Sequence, residues 1–407
     1  MIPSSTINDV SAYAPGWLGR YVEAMGQDVA PLSFHLLAGM LVMSSVVGRR
    51  AALVRPTGVL WPPTSILLLA PSGIGKSLSL KTKAMRVARL AFESQAYVSQ
   101  GNFTTAAIVN DLRRLQAKGL EVLEGLHIED EASVILTKRT GNETTAQWII
   151  GALEHRDETE EKTVSRGTVI LRNLTIAFGL GTTLEYLRQA VSVHEFTGGF
   201  MHRFLIAHEA DQREGKDVVP SDAIVEDLAK ELQEIRQAMP SMLSVAPPVE
   251  SKLRSLGVQA MRRYFDSIHL QGYWNRYPML LLKLASLMAM AEHRSRIEMR
   301  DLETAQALLD TKLYPVLEGL IEELGASRER KHLIEVADSL RKAGPEGWDQ
   351  ATLIRKLDVP TRNHLDAIST LLAMGSVYRV GGRYYGRRDW AQDNHHQEDD
   401  EEGTGDA

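Results

Sequence analysis

The stretch Ile66-Leu67-Leu68-Leu69-Ala70-Pro71-Ser72-Gly73-Ile74-Gly75-Lys76-Ser77-Leu78 decides how the chain is read. Trp61-Pro62-Pro63 upstream forces extended backbone, and the four apolar residues that follow are what a strand buried on both faces needs. The next turn has the pattern of a phosphate-binding loop, with Ala70 where that pattern begins with glycine. Gly73 and Gly75 let backbone N–H groups turn inward around phosphate oxygens, and the helix opening at Ser77 adds positive potential. Lys76 would reach the β- and γ-phosphates of ATP, and the Ser77 hydroxyl would ligate Mg²⁺. Pro71, Ser72, Gly73, Ile74, Gly75, Lys76, Ser77 and Leu78 are therefore the expected ATP site. An incidental glycine-rich turn is the alternative; strand, loop and helix falling in mechanical order weigh against it.

Upstream, Pro15 to Met25 and Pro31 to Val47 show helical apolar spacing with proline at each first turn. Downstream, short apolar runs recur at Leu126 to Ile128, Leu174 to Phe178 and Phe204 to Ala207, separated by helical stretches such as Ser77 to Phe92 and Thr144 to Leu153. Strands alternating with helices imply an α/β fold with a parallel sheet covered on both sides. The expected domains are an N-terminal helical region (1–58), an α/β core (59–215), a helical region (216–325), a basic module (326–390) and an acidic tail (391–407).

Hydrolysis needs a carboxylate for the magnesium and another to orient water. The strand ending in Leu126-His127-Ile128-Glu129-Asp130-Glu131 supplies both, with Asp130 assigned to the outer of the two ligand shells around the magnesium and Glu131 to polarising the attacking water. His127 and Glu129 make this strand less apolar than a central strand, so Glu129-Asp130 stands as the alternative pair. Thr182 or Thr183, after the next strand, is either a hydroxyl sensor of the γ-phosphate or a helix cap before Leu184. Arg203, directly before Phe204 to Ala207, is either an arginine finger completing a neighbouring subunit's site or a surface ion pair.

The 407 residues carry 46 Lys+Arg and 52 Asp+Glu, a net charge of −6 that averages over two unlike regions. Residues 391–407 hold seven acids and no Lys or Arg, while residues 326–390 hold twelve Lys or Arg against eight acids. The absence of cysteine excludes disulfides, thiolate metal sites and cysteine nucleophiles. Phe34 to Gly48 falls short of the roughly 20 residues of a membrane span, and the opening MIPSSTINDV lacks a signal peptide's pattern. A cytoplasmic chain is expected.

APSGIGKS, IEDEAS and HRFLIA, with a hydroxyl-bearing strand between the last two, together resemble the ring-forming P-loop ATPases of the AAA+ and RecA-like groups. PGWLGRYVEAMG, FHLLAGMLVMSSVVGRR and WPPTSILLLAPSGIGKS further resemble phage and prophage DNA-replication ATPases, described as helicase- or primase-associated, over residues 12 to 325. Asn275-Arg276-Tyr277-Pro278 resembles the lid of MCM-type helicases, which implies a sensor role for Arg276 at the start of a helix. Lys138 and Arg139, with Lys162 and Arg166 on an expected hairpin, could grip single-stranded DNA in a pore or be ordinary solvated loops.

His332 to Arg341, Gln350 to Leu357 and Arg362 to Met374 read as helices followed by a hairpin turning on Gly381-Gly382. That is a winged-helix pattern, with Arg362 and Asn363 opening the reading helix and Arg379 and Arg383 on the wing. A winged helix used for protein contacts is the alternative. The whole implies an ATP-driven, hexameric DNA motor, most simply a replicative helicase working with other replication proteins. A nucleotide-switched helicase loader or origin-binding initiator without unwinding is the second expectation.

Overall fold

In the computed structural model, the strand expected at Ile66–Leu69 is Ser65–Leu69, all five residues buried. The structure describes residues 2–55, 58–92, 96–101, 104–132, 143–163, 167–190, 200–216, 218–266, 270–324, 336–356, 367–372 and 376–386. The chain divides into two units, residues 1–253 with 279–320, and residues 254–278 with 321–407.

Unit 1 opens with α1 (Gly16–Met25) and α2 (Leu32–Val47), followed by a small hairpin of β1 (Leu53–Arg55) and β2 (Gly58–Leu60) and by β3 (Ser65–Leu69). In α2 every residue from Ser33 to Val47 is buried. The helical stretch Leu32–Arg50 is long and apolar enough to cross a membrane, but 89% of that window is buried inside the protein. The N-terminal helices are thus part of unit 1's core and not a separate region. Their polar groups are paired locally: Ser44 and Ser45 both donate to the Leu41 carbonyl, at 3.1 and 2.6 Å.

After the loop, Leu78–Ala84 is π-helical and runs into α3 (Met85–Ala91). Then come β4 (Tyr97–Gln100), α4 (Thr105–Ala117), β5 (Leu123–Glu129), α5 (Glu143–Ala152), the hairpin β6 (Glu158–Thr163) and β7 (Gly167–Arg172), β8 (Leu174–Thr182), α6 (Leu184–Ala190) and β9 (Phe204–His208). The main sheet has five strands in the order β4-β5-β8-β3-β9, every pairing parallel. All carboxyl ends therefore lie on one edge, where Leu69 pairs with both Thr182 and His208.

The run read as ending at Phe178 continues as a buried strand to Thr182. Gly179 and Gly181 are close-approach positions within it: a Cβ on Gly179 would meet Leu41 at 2.5 Å, and one on Gly181 would lie 3.2 Å from the Asp130 backbone. Ala132 N–H also donates to the Gly181 carbonyl at 2.8 Å, which ties the acidic turn to the end of β8.

The region expected as one lid is shared between the units. In unit 1, α7 (Asp222–Ala238) turns Val225, Leu228, Leu232 and Ile235 inward, and the Trp17 indole N–H donates to the Leu228 carbonyl at 2.9 Å. β10 (Ser244–Val245) pairs with β11 (Arg296–Ile297), and α8 (Pro247–Asp266) and α9 (Gln271–Ala291) each cross the division. α10 (Met299–Leu308) and most of α11 (Tyr314–Leu324) complete unit 1. Unit 2 holds helical residues 336–342 and 367–372, α12 (Gln350–Lys356), and a three-stranded sheet in the order β12 (Trp348–Asp349), β14 (Arg383–Gly386), β13 (Val377–Val380). Val336, Leu340, Leu353, Ile368, Leu371, Val377 and Tyr384 form its core.

Candidate functional site: the carboxyl edge of the five-stranded sheet

The loop leaves β3 at its buried end and turns back with Gly73 at φ +89° and Gly75 at φ +100°, conformations that favour glycine. Pro71, Ser72, Gly73 and Ser77 are exposed, Ile74, Gly75 and Leu78 partly covered, and Lys76 is buried. The Lys76 ammonium donates to the carbonyls of Ala70 at 2.7 Å and Pro71 at 2.8 Å. Burial pulls its pKa below the ordinary lysine value, while Glu131 and Asp130 act in the opposite sense. A buried cation held by neutral carbonyls in a glycine turn attracts an anion strongly.

Asp130 lies just past the end of β5 and accepts a hydrogen bond from Ser77 Oγ at 2.6 Å, through Oδ2. Its Oδ1 is ion-paired with the Lys81 ammonium. Burial raises the Asp130 pKa, but the Lys81 and Ser77 contacts outweigh it and hold the carboxyl below its usual range. A hydroxyl and a carboxylate this close form an all-oxygen donor pair that suits Mg²⁺, which takes one or two carboxylates and leaves the rest of its shell to water and phosphate. No cluster of three or more metal-ligating His, Cys, Asp or Glu occurs among the described residues.

Glu131 is exposed beyond the strand, and its backbone N–H donates to Glu129 Oε1 at 3.0 Å. Glu129 is 2% exposed, its Oε2 is buried without a hydrogen-bond partner, and burial raises its pKa. Asp130 thus meets Ser77 while Glu129 supports the turn from within. His127, which made the strand look too polar, is buried beside Tyr97 and Phe178 with ring centroids at 6.2 Å from each. Burial drives its pKa down to about 4, so it packs as a neutral ring.

Thr182 ends β8 fully buried, and its carbonyl accepts from Ala70 N–H at 3.3 Å, so the strand grips the loop at its root. Thr183 is the cap of α6, its hydroxyl accepting from Tyr186 N–H at 3.2 Å.

Arg203 stands at the other edge. Phe204 pairs with Ser65, so Arg203 lies beside the start of β3, a whole strand from the loop, roughly 15 Å at the usual strand rise. Its side chain is 13% exposed and bonds Glu154 Oε1 at 2.9 Å. Burial raises the Glu154 pKa, but Arg156 and Arg203 outweigh it and hold the carboxyl below its usual range. Arg276, expected to open a helix, sits in the second turn of α9, because the helix begins at Gln271; its guanidinium donates to the Gly272 carbonyl at 3.2 Å.

Lys138, Arg139, Arg166, Arg362, Asn363 and the acidic tail lie outside the described residues. Lys162 lies in β6, opposite Thr168 in the hairpin. In unit 2 the Arg379 guanidinium stacks 5.3 Å from the centroid of the Tyr384 ring, and Arg383 donates to the Glu346 carbonyl at 2.7 Å.

Sequence reading missed several residues around the loop. Ala30 packs where a Cβ on Gly75 would fall, at 2.4 Å, so the loop rests on the segment before α2. Asp28 fixes that segment through Ala30 N–H at 2.8 Å, His35 Nε2 at 2.9 Å and the buried Lys83 ammonium. Gln212 donates to the Gly73 carbonyl, and Arg213 to that of Gly26 at 2.9 Å. Lys81, four residues after Ser77, was legible from helical spacing; Gln212 and Asp28 carry no such signal. Compared with known proteins, the chain matches no family model and no curated protein.

Proposed function

We propose that the chain is a P-loop ATPase of the AAA+ and RecA-like kind, acting as an oligomeric, hexameric DNA motor, a phage-type replicative helicase. The observation that carries this reading is the Lys76 loop at the end of buried β3, with Ser77 Oγ 2.6 Å from Asp130 on the turn after β5. In this reading Lys76 leaves its two carbonyls to bind the β- and γ-phosphates, and inward-turned N–H groups of Ser72 to Leu78 hold the rest of the triphosphate. Ser77 would hold Mg²⁺ with Asp130 behind it in the outer ligand shell, and the ion would supply neutralisation of the charge developing on the phosphates. Glu131, exposed beside Lys76 and fixed by Glu129, orients the attacking water. Thr182 positions the loop through its backbone.

Arg203 is a full strand length from its own chain's loop, so contact with a γ-phosphate requires that of a neighbouring copy. This supports a ring. For DNA, the β6–β7 hairpin bearing Lys162 would line the pore, and unit 2 would supply a basic winged helix, with Arg379 and Arg383 on the wing around Gly381-Gly382. The decisive test is turnover of ATP by the purified protein with and without single-stranded DNA, together with unwinding of a forked duplex. Stimulation with unwinding is expected. Stimulation without unwinding would assign a loader or initiator, and hydrolysis indifferent to DNA would remove the motor reading.

A further inference from the structure

Two lysines project from the π-helical segment Leu78–Ala84, directly after the phosphate loop. Two residues apart on a helix, they face different ways. Lys83 is fully buried and ion-paired with Asp28, which fixes the segment that carries Ala30 against Gly75. Lys81 turns the other way, its side chain 31% exposed, and is ion-paired with Asp130, whose own side chain is 19% exposed. π-Helical turns gather at functional sites because the wider turn re-aims side chains.

Resting on the ATPase reading, we infer that Lys81 is a built-in counter-ion of Asp130 that must leave it before Mg²⁺ loads. Asp130 has both oxygens engaged, Oδ2 by Ser77 and Oδ1 by Lys81. The Ser77 hydroxyl and the Asp130 carboxylate, 2.6 Å apart, are close enough to serve one Mg²⁺ ion together. Ser77 would need only to turn its hydroxyl proton away from Asp130. Lys81 has to do more. An ammonium on Asp130 repels a divalent cation on that carboxylate, so Lys81 competes with the metal for it. Its partly exposed, flexible stem allows it to swing into solvent on release. Lys81 is therefore a positioning residue: it keeps the carboxylate aimed at Ser77 and sets how much Mg²⁺ the nucleotide complex requires.

The test is a Mg²⁺ titration of a fluorescent, non-hydrolysable ATP analogue bound to the full chain, with a parallel binding curve in EDTA. Lys81→Met keeps the apolar stem and removes the charge. Its Mg²⁺ midpoint should fall about fivefold, the upper size for a partly exposed ion pair, with binding in EDTA unchanged. Lys81→Arg, which can grip a carboxylate with two N–H donors, should move the midpoint the opposite way, and it carries the test should the Met variant not fold. An unmoved midpoint in a folded variant overturns the inference while leaving the ATPase reading intact. Weaker binding of Lys81→Met in EDTA also overturns it, since Lys81 would then be a phosphate ligand. Failure of the unaltered chain to bind the analogue under either condition removes both readings.

Discussion

The two edges of the five-stranded sheet are built from the same strands and treat charge in opposite ways. At the carboxyl edge Lys76 is buried against carbonyls, Glu129 keeps a buried oxygen without a partner, and Glu131 stands in solvent. At the amino edge Arg49, Arg236 and Arg203 each meet a matched acceptor. Arg49, with its side chain 6% exposed, bonds Thr175 at 2.7 Å, Asp157 at 2.6 Å, Asn173 at 3.2 Å and the Arg156 carbonyl at 2.8 Å, and it also stacks on Trp61. Arg236 bonds Glu124 at 2.6 Å, and Arg203 bonds Glu154. The amino edge commits these arginines to carboxylates and carbonyls of the fold; the carboxyl edge leaves Lys76 on neutral carbonyls and a Glu129 oxygen without a hydrogen bond. Strained or unsatisfied groups persist where function requires them.

The sharpest way to break this contrast is Lys76→Ala. It should leave the circular dichroism spectrum unchanged and reduce ATP affinity by a factor of about a hundred or more, as expected when charge-assisted bonds to phosphate are lost, with turnover lost altogether. Full ATPase activity in that variant would end the assignment of the carboxyl edge. Arg203→Ala tests the amino edge in the same currency: ATP binding kept, turnover down by about 10³-fold, the low end for an arginine finger. Mixing it with Asp130→Ala subunits should restore part of the activity, because each variant supplies what the other lacks. No recovery on mixing would mean that Arg203 serves only its ion pair with Glu154.

Stability separates the edges further. Arg49→Met should lower the unfolding free energy by about 3 kcal/mol, since it strips several groups of their partner at once, yet leave nucleotide binding intact; urea denaturation reads the first and a binding curve the second. Between the edges, His127 gives a pH signature. Its folded-state pKa, pushed down to about 4 by burial, lies below the ordinary imidazole value of 6.5. The unfolded chain therefore takes up this proton first as pH falls. Stability from this group is full above pH 6.5, declines as pH drops towards 4 by about 3 kcal/mol, and is flat below. His127→Phe should blunt that decline in acid denaturation.

The alternation of apolar runs with helices, and the loop between them, was legible because those features are local: a buried strand needs consecutive apolar residues, and a phosphate turn needs glycine at fixed offsets. The extent of β8 was not, since Gly179 and Gly181 read as turn residues until Leu41 and the Asp130 backbone are seen pressed against them. Nor was the place of α2, whose uniform apolarity fits a core helix as well as a separate bundle. That Asp130 meets Ser77 while Glu129 is buried depended on strand pleat, which a run of three acids does not reveal. Asp28, Gln212 and Glu154 reach their partners across 55, 139 and 49 residues, contacts that no local pattern encodes.

Glu129 sharpens the comparison at its finest grain. Burial lifts its carboxyl pKa above the ordinary value, so the stability it contributes is complete at low pH, where folded and unfolded chains are both protonated, and is lost as pH rises through the folded-state value. Glu129→Gln keeps an oxygen for the Glu131 N–H and cannot ionise. It should therefore be more stable than the unaltered chain at pH 8 by about 1 kcal/mol, the lower range for a buried group without its partner, and equal to it near pH 4. A carboxylate whose removal helps folding, at the turn where Glu131 is held, is what a sheet edge organised for chemistry predicts. The same substitution at Glu124, which accepts from Arg49 N–H at 2.8 Å and from Arg236, should weaken the fold instead. Measured side by side in urea at pH 8, opposite signs would uphold the division of labour between the two edges, and equal signs would dissolve it.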